Sequence, residues 1–208
     1  MRALPGGVVL EVAAGPFERE LCSRGLAVDD HFLGEREIAA LAACAQERRR
    51  RGEFTDARIG AAGGLQRRAD IRGDSICWLA QPPLPAEQAL LASLESLRLA
   101  LNREAQLGLF ELEIHYGSYP PGAGYQRHVD QPQGSAARTV TLVLYLNTGW
   151  SAASGGELRL YLGPGAARDI LPVGGRLVCF LTRGLEHAVM PALRSRLSIT
   201  GWFRTREA

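Results

Sequence analysis

In the segment YQRHVDQP, His128 and Asp130 stand two residues apart, in a chain that holds only four histidines. On an extended strand such residues point to one side, so an imidazole and a carboxylate would face one point. Taken alone, an HxD pair reads more readily as a surface pair in a turn-rich segment. A third group changes the weighing: His187, in GLEHAVMP, is the only histidine further along. Two histidines and one carboxylate suit non-haem Fe(II) and leave coordination positions open for substrate and oxygen, whereas thiolates would favour zinc or iron–sulfur chemistry. Nine residues after His187 comes Arg196, in RSRLSITGWF. An arginine inside a barrel needs an anion, because an unpaired buried charge is costly. One carboxylate of a small dicarboxylic acid would satisfy it in two-point fashion. Thr200, four residues on and on the same face, would add a hydroxyl. His31 and His115 match no motif and read as structural.

The elements that must position these groups divide the chain in two. GEREIAALAACAQERRRRG places Ile38, Leu41, Ala42 and Ala45 on one helical face, with Gly52 able to stop the helix. Its basic end reads as solvated, where arginine complements the helix dipole. LPAEQALLASLESLRLALNREAQLG predicts a longer amphipathic helix, with Pro85 in the first turn, Gly108 at the end, and Leu90, Leu94, Leu97 and Leu101 on one face. Between the two, FTDARIGAAGGLQRRADIRGDSICWLAQPP reads as two strands joined by a long loop. From about Glu111 onward, ELEIHYGSY, TVTLVLYLN, GELRLYL, ARDIL, RLVCFL, EHAVM and SRLSITGWF are short, alternating and punctuated by Gly, Pro and Asn. Short strands at close spacing predict a sandwich or barrel, jelly roll among the options, with helices buttressing one face. The class is α+β, in a single domain of residues 1–208. Residues 1–110 would be a helix-rich scaffold carrying the loop hairpin, and 111–208 the jelly-roll core.

Bulk properties narrow the function classes. The 208 residues are 46% hydrophobic and 22% charged, with a net charge of +2. That balance argues against a general nucleic-acid binder. Cys22, Cys44, Cys77 and Cys179 form no CxxC pair and read as buried free thiols of a reducing compartment. The start, MRALPGGVVLEVAAGPFERE, is too interrupted for a signal peptide or membrane span. A cytoplasmic protein with no membrane partner is expected.

The pieces FTDA, IRGDSICW, YPPGAGYQRHVDQPQG, LVLYLNTGW, SGGELRLY and RLSITGWF, in this order, resemble the Fe(II)/2-oxoglutarate-dependent prolyl 4-hydroxylases. The likeness is to the hypoxia-inducible-factor type and its bacterial counterparts, and it spans roughly residues 50 to 204. The resemblance implies a double-stranded β-helix in which His128, Asp130 and His187 hold Fe(II). It implies that Arg196, with Tyr145 and Thr200, binds the far carboxylate of 2-oxoglutarate, and that Tyr119 lies beside it. By this resemblance the segment from tyrosine to histidine is one residue shorter than in the animal enzymes, which leaves Tyr116 as a competitor. Arg138 resembles an arginine of the substrate entrance. The loop from Phe54 to Asp74 resembles one that closes over a protein substrate, anchored by the Arg72–Asp74 pair.

The implied activity is hydroxylation of a prolyl residue at C4 in a protein. The implied cofactors are Fe(II), 2-oxoglutarate and O2, with ascorbate supportive and succinate and CO2 as co-products. For the bacterial counterparts the implied partner is translation elongation factor Tu. Bland readings stand beside these. Tyr119 and Tyr145 could be core, Arg138 a surface charge, and Trp150, Trp202 and Phe203 packing. The glycines of PGAGY and SGGE serve turns. A hydroxylase of free amino acids or small molecules, and a non-catalytic jelly-roll binding module, remain as alternatives.

Overall fold

The computed structural model describes residues 15–59, 66–79, 82–131 and 137–206. The first fourteen residues, the tip of the 54–74 loop and Pro132–Gly134 of the resembling segment lie outside the described residues.

Three helices come early. They are α1 (Pro16–Arg24), α2 (Glu35–Arg50) and α3 (Pro85–Ala105). In α3 the 3.6-residue period does what it predicts: Leu90, Leu94, Leu97 and Leu101 are all buried. Each contributes of order 2 kcal/mol relative to exposure. Pro85 takes the first turn, and the Glu87 carboxylate accepts the Leu84 backbone N–H at 2.8 Å. The helix ends earlier than Gly108. Gln106 adopts the left-handed conformation at φ 51° and caps it, and Gly108 follows in the turn.

The basic end of α2 corrects the reading of a uniformly solvated terminus. Arg48 is 3% exposed and forms a two-point ion pair with the fully buried Glu87, at 2.7 and 2.6 Å. Helical spacing is the reason, because Arg48 continues the Ile38, Leu41, Ala45 face into the core. Ala42, expected on that face, is only half-buried.

Among the described residues, eleven strands follow or interleave, and two antiparallel sheets hold them. The larger contains β1 (Leu26–Asp29), β2 (Thr55–Asp56), β3 (Ser75–Trp78), β4 (Leu109–Tyr119), β6 (Arg138–Tyr145), β9 (Leu177–Leu181) and β11 (Arg196–Thr205). Its order is β1-β9-β6-β11-β4-β3-β2. The smaller has the order β5-β10-β7-β8, from β5 (Tyr125–His128), β7 (Leu158–Gly163), β8 (Ala166–Ile170) and β10 (His187–Val189). This is the jelly-roll arrangement, and strand alternation builds its layers. On β6, Val140, Leu142 and Leu144 face the helices, while Val143 and Tyr145 turn inward against Leu158, Leu160 and Phe180. On β11, Ile199 and Phe203 join the helix layer, so Arg196, Ser198 and Thr200 turn to the interior.

The two strands expected around the loop pair directly, Thr55 opposite Ile76. All four cysteines are free, with Cys22 and Cys44 only partly buried. No described helix is long and apolar enough to cross a membrane.

Candidate active site: a His–Asp–His centre facing a buried arginine

Strands β5 and β10 pair with His128 directly opposite His187, which sets the two rings 4.2 Å apart between centres. The same-face argument for His128 and Asp130 needs correction, because β5 stops at His128 and Asp130 lies in a bend beyond it. The bend nevertheless brings the carboxylate to both rings. Its oxygens lie 3.5 Å from His128 Nε2 and 3.4 Å from His187 Nε2. The candidate ligand atoms all fall within 4.8 Å of one another.

Hydrogen bonds orient the rings. His128 Nδ1 is 2.7 Å from the Gln126 carbonyl, and His187 Nδ1 is 3.2 Å from that of Leu185. Donation from each Nδ1–H leaves the Nε2 lone pair aimed at the shared point. Thr141, itself hydrogen-bonded to Thr182, reaches Asp130 at 3.2 Å. Burial works against charge on Asp130, but the two imidazoles outweigh it and hold its carboxyl well below the usual range. Burial likewise opposes protonation of His187, and the Asp130 carboxylate outweighs that, raising its pKa. Two lone pairs and a carboxylate converging on one point are satisfied by a divalent cation, so the donor set fits Fe(II).

Across a cleft of about 500 Å³ lies Arg196, 2% exposed. Its Nε donates to the Gly156 carbonyl at 3.0 Å and its Nη1 to Ser198 Oγ at 3.4 Å. Gly156 adopts φ 77°, and a Cβ there would meet Ala192 Cβ at 2.9 Å. The SGGE turn therefore does more than reverse the chain: its tight approach supplies Arg196 with a carbonyl. No carboxylate pairs with Arg196 among the described residues. Tyr119 and Tyr145 present their rings 5.2 and 5.0 Å from the guanidinium. The Tyr145 hydroxyl is enclosed and has no hydrogen-bond partner. Burial raises the pKa of both phenols, so both stay protonated and can donate. Thr200 lines the same cleft. A buried cation and an orphaned hydroxyl together fit the distal carboxylate of 2-oxoglutarate.

Tyr116 takes no part. It is an odd number of residues from Tyr119, points to the opposite face of β4, and donates to Glu87 at 3.0 Å. Arg138 lies at the mouth, paired with Glu113 at 2.8 Å, over the Trp202 ring at 3.6 Å, and donating to the Asp130 carbonyl at 3.3 Å. Arg72 and Asp74 form a two-point pair at 2.7 and 3.0 Å. That segment is stitched to the metal-side strand: Gly73 N–H donates to the Gly124 carbonyl and Gln126 N–H to that of Ile71.

Sequence reasoning missed several residues. Tyr125 stacks on His128 with centres 3.5 Å apart and carries Arg72 over its other surroundings at 4.8 Å. Thr141 supports Asp130. Trp202, read as packing, lines the cleft, and so does His115. The polar residue inside an apolar strand was a usable signal for Thr141; nothing local marked the others. His31 lies on the surface.

Residues 114–204 match the 2OG-Fe(II) oxygenase superfamily. The crystal structure of a Pseudomonas putida prolyl-4-hydroxylase superposes with a TM-score of 0.81 at 41% identity, covering 92% of this chain and 98% of that one. This chain belongs to the 2OG-Fe(II) oxygenase superfamily. Family members of this kind include human Egl nine homolog 1, 34% identical over 86% of this chain and 43% of that protein. The chain thus spans about half the length of the Egl nine relatives it matches. A Trichoplax adhaerens prolyl hydroxylase, in complex with a hypoxia-inducible-factor oxygen degradation domain peptide, superposes with a TM-score of 0.81 at 28% identity. It covers 90% of this chain and 87% of that one. For an oxygenase of this superfamily, Fe(II), 2-oxoglutarate and O2 are the cofactor set.

Proposed function

We propose that this protein is an Fe(II)- and 2-oxoglutarate-dependent dioxygenase that hydroxylates a prolyl residue, at C4, in a protein substrate. One observation carries the reading. A fully buried guanidinium without an acidic partner faces a His–Asp–His set across one cleft. A dicarboxylate that chelates metal at one end is what such a cleft accommodates. When bound, iron and 2-oxoglutarate supply the oxidative chemistry, with succinate and CO2 as co-products.

The chain's own residues bind and orient. His128, Asp130 and His187 would hold the metal. Arg196, Tyr145 and Thr200 grip the distal carboxylate, and Tyr119 closes the wall beside it. Arg138 and Arg72 line the approach, with Asp74 holding Arg72 from the inner cleft, and an open groove extends past Thr55, Ile76 and Trp78. A groove of that extent suits an extended polypeptide better than a free amino acid. The first protein to assay is translation elongation factor Tu, on the strength of the resemblance to bacterial prolyl hydroxylases. That substrate would place the reaction in the cytoplasm.

The test is anaerobic. Fe(II) and then 2-oxoglutarate are added to metal-free protein, and the visible charge-transfer band of the chelate is followed. The band is expected only with both additions and weakened in Arg196→Ala. After air is admitted, a proline-containing protein substrate gains the mass of one oxygen at proline. A folded protein that gives no band excludes the reading and favours a binding module.

A further inference from the structure

Five side chains border both the metal-side cleft and the outer groove: Arg72, His115, Tyr125, Asp130 and Trp202. The cleft and the groove adjoin at these residues. Arg72 is committed to Asp74, Asp130 faces the two imidazoles, and Tyr125 lies flat on His128. His115 and Trp202 are not committed. Each has a ring nitrogen, His115 Nδ1 and Trp202 Nε1, that is enclosed and has no hydrogen-bond partner.

The placement of His115 follows from its strand. It lies on the inner face of β4, two residues before Gly117 and four before Tyr119, which line the same cleft. The imidazole is 2% exposed, stacks on Trp202 with centres 5.4 Å apart, and tilts against Trp78 at 4.9 Å. Burial, with the Arg72 charge adding to it, lowers its pKa to about 4 and keeps the ring neutral. A neutral imidazole has one donor and one acceptor nitrogen. Nδ1 is enclosed with no acceptor in reach, so the proton belongs on Nε2, since an orphaned N–H is the rarer and costlier arrangement. Leucine or methionine would fill the same space, but neither could donate a hydrogen bond into the cleft.

We propose that His115 positions the substrate, its neutral imidazole donating a hydrogen bond to a main-chain carbonyl of the polypeptide beside the target proline. Proline has no N–H, so at the reacting residue a carbonyl is the only main-chain group left to recognise. Trp202, stacked on the ring, holds the donor at the throat. This inference rests on the prolyl substrate reading above.

The test uses His115→Leu and His115→Gln, with proline peptides tiled across elongation factor Tu and the hypoxia-inducible-factor degradation domain. Peptide binding to the anaerobic Fe(II)–2-oxoglutarate complex, peptide KM and kcat, and the charge-transfer band are read for each. His115→Leu is expected to raise peptide Kd and KM about tenfold, the loss of one hydrogen bond, with kcat and the band unchanged. His115→Gln puts an amide N–H near the Nε2 position and recovers most of that loss. Wild-type peptide affinity in His115→Leu overturns the assignment. So does a loss in His115→Leu that is matched by a weaker band, since that makes the residue structural. Wild-type protein that gives the band but binds no proline peptide instead refutes the prolyl reading, and this inference with it.

Discussion

At the scale of single residues, the site is legible as unmet demand. Among the described residues no carboxylate pairs with Arg196, and the enclosed Tyr145 hydroxyl makes no hydrogen bond. An unmet group adds nothing to the stability of the free protein and is available to a ligand. Tyr145→Phe should therefore leave the urea midpoint unchanged or raised, while weakening 2-oxoglutarate binding about five- to tenfold. Equilibrium unfolding beside a titration of the charge-transfer band would separate the two effects. A drop in both would mean that the hydroxyl is satisfied inside the fold. The choice between Tyr116 and Tyr119 was also a residue-scale question. Alternation along β4 answers it, because one side chain goes to the helix layer and the other to the cleft.

At the scale of elements, the scaffold depends on a charged contact that reads at first as surface. Arg48 on α2 and Glu87 on α3 form a buried two-point pair, with the Tyr116 hydroxyl from β4 and Glu53 from the approach to β2 completing it. Three elements meet there, behind the sheet that carries Arg196. Removing one partner strands a buried charge, so Arg48→Ala should destabilise by about 3–5 kcal/mol. The neighbouring, exposed Arg50 pairs with the half-buried Glu47, and Arg50→Ala should change stability by less than about 0.5 kcal/mol. Urea unfolding of the two variants checks the contrast, and equal effects would show that the pair is not what joins the helices. In α3 the leucine period was plain in the sequence, and in ERRRR the same spacing, carried on from Ile38, Leu41 and Ala45, points to Arg48. What spacing does not carry is the partner: Glu87 lies on another helix, and only packing brings the two together.

At the scale of the whole molecule, the two halves of the proposed cofactor site come from different sheets. His128 and His187 belong to the smaller sheet and Asp130 follows directly from it, whereas Arg196, Thr200 and Tyr145 belong to the larger. A ligand spanning from the metal to Arg196 ties the sheets together. Mn(II), a redox-quiet stand-in, should raise Tm by itself, and 2-oxoglutarate should raise it further only when Mn(II) is present. Thermal denaturation with each addition alone and both together measures this. Equal stabilisation by 2-oxoglutarate without metal would mean that the two ends bind independently.

The sequence by itself determined the ligand types, because HxD, a later histidine and a later arginine are chemical identities that survive any folding. It also determined the leucine face of α3 and the alternation of β6 and β11, since those periods follow from backbone geometry. The tertiary structure alone decided three things. Asp130 reaches the histidines through a bend after β5 rather than along a strand. Arg48 of α2 meets Glu87 of α3 as its buried partner. His115 and Trp202 stand at the throat with nitrogens to spare. Each depends on contacts between segments far apart in the chain, and local spacing carries no record of which distant surface a side chain will meet.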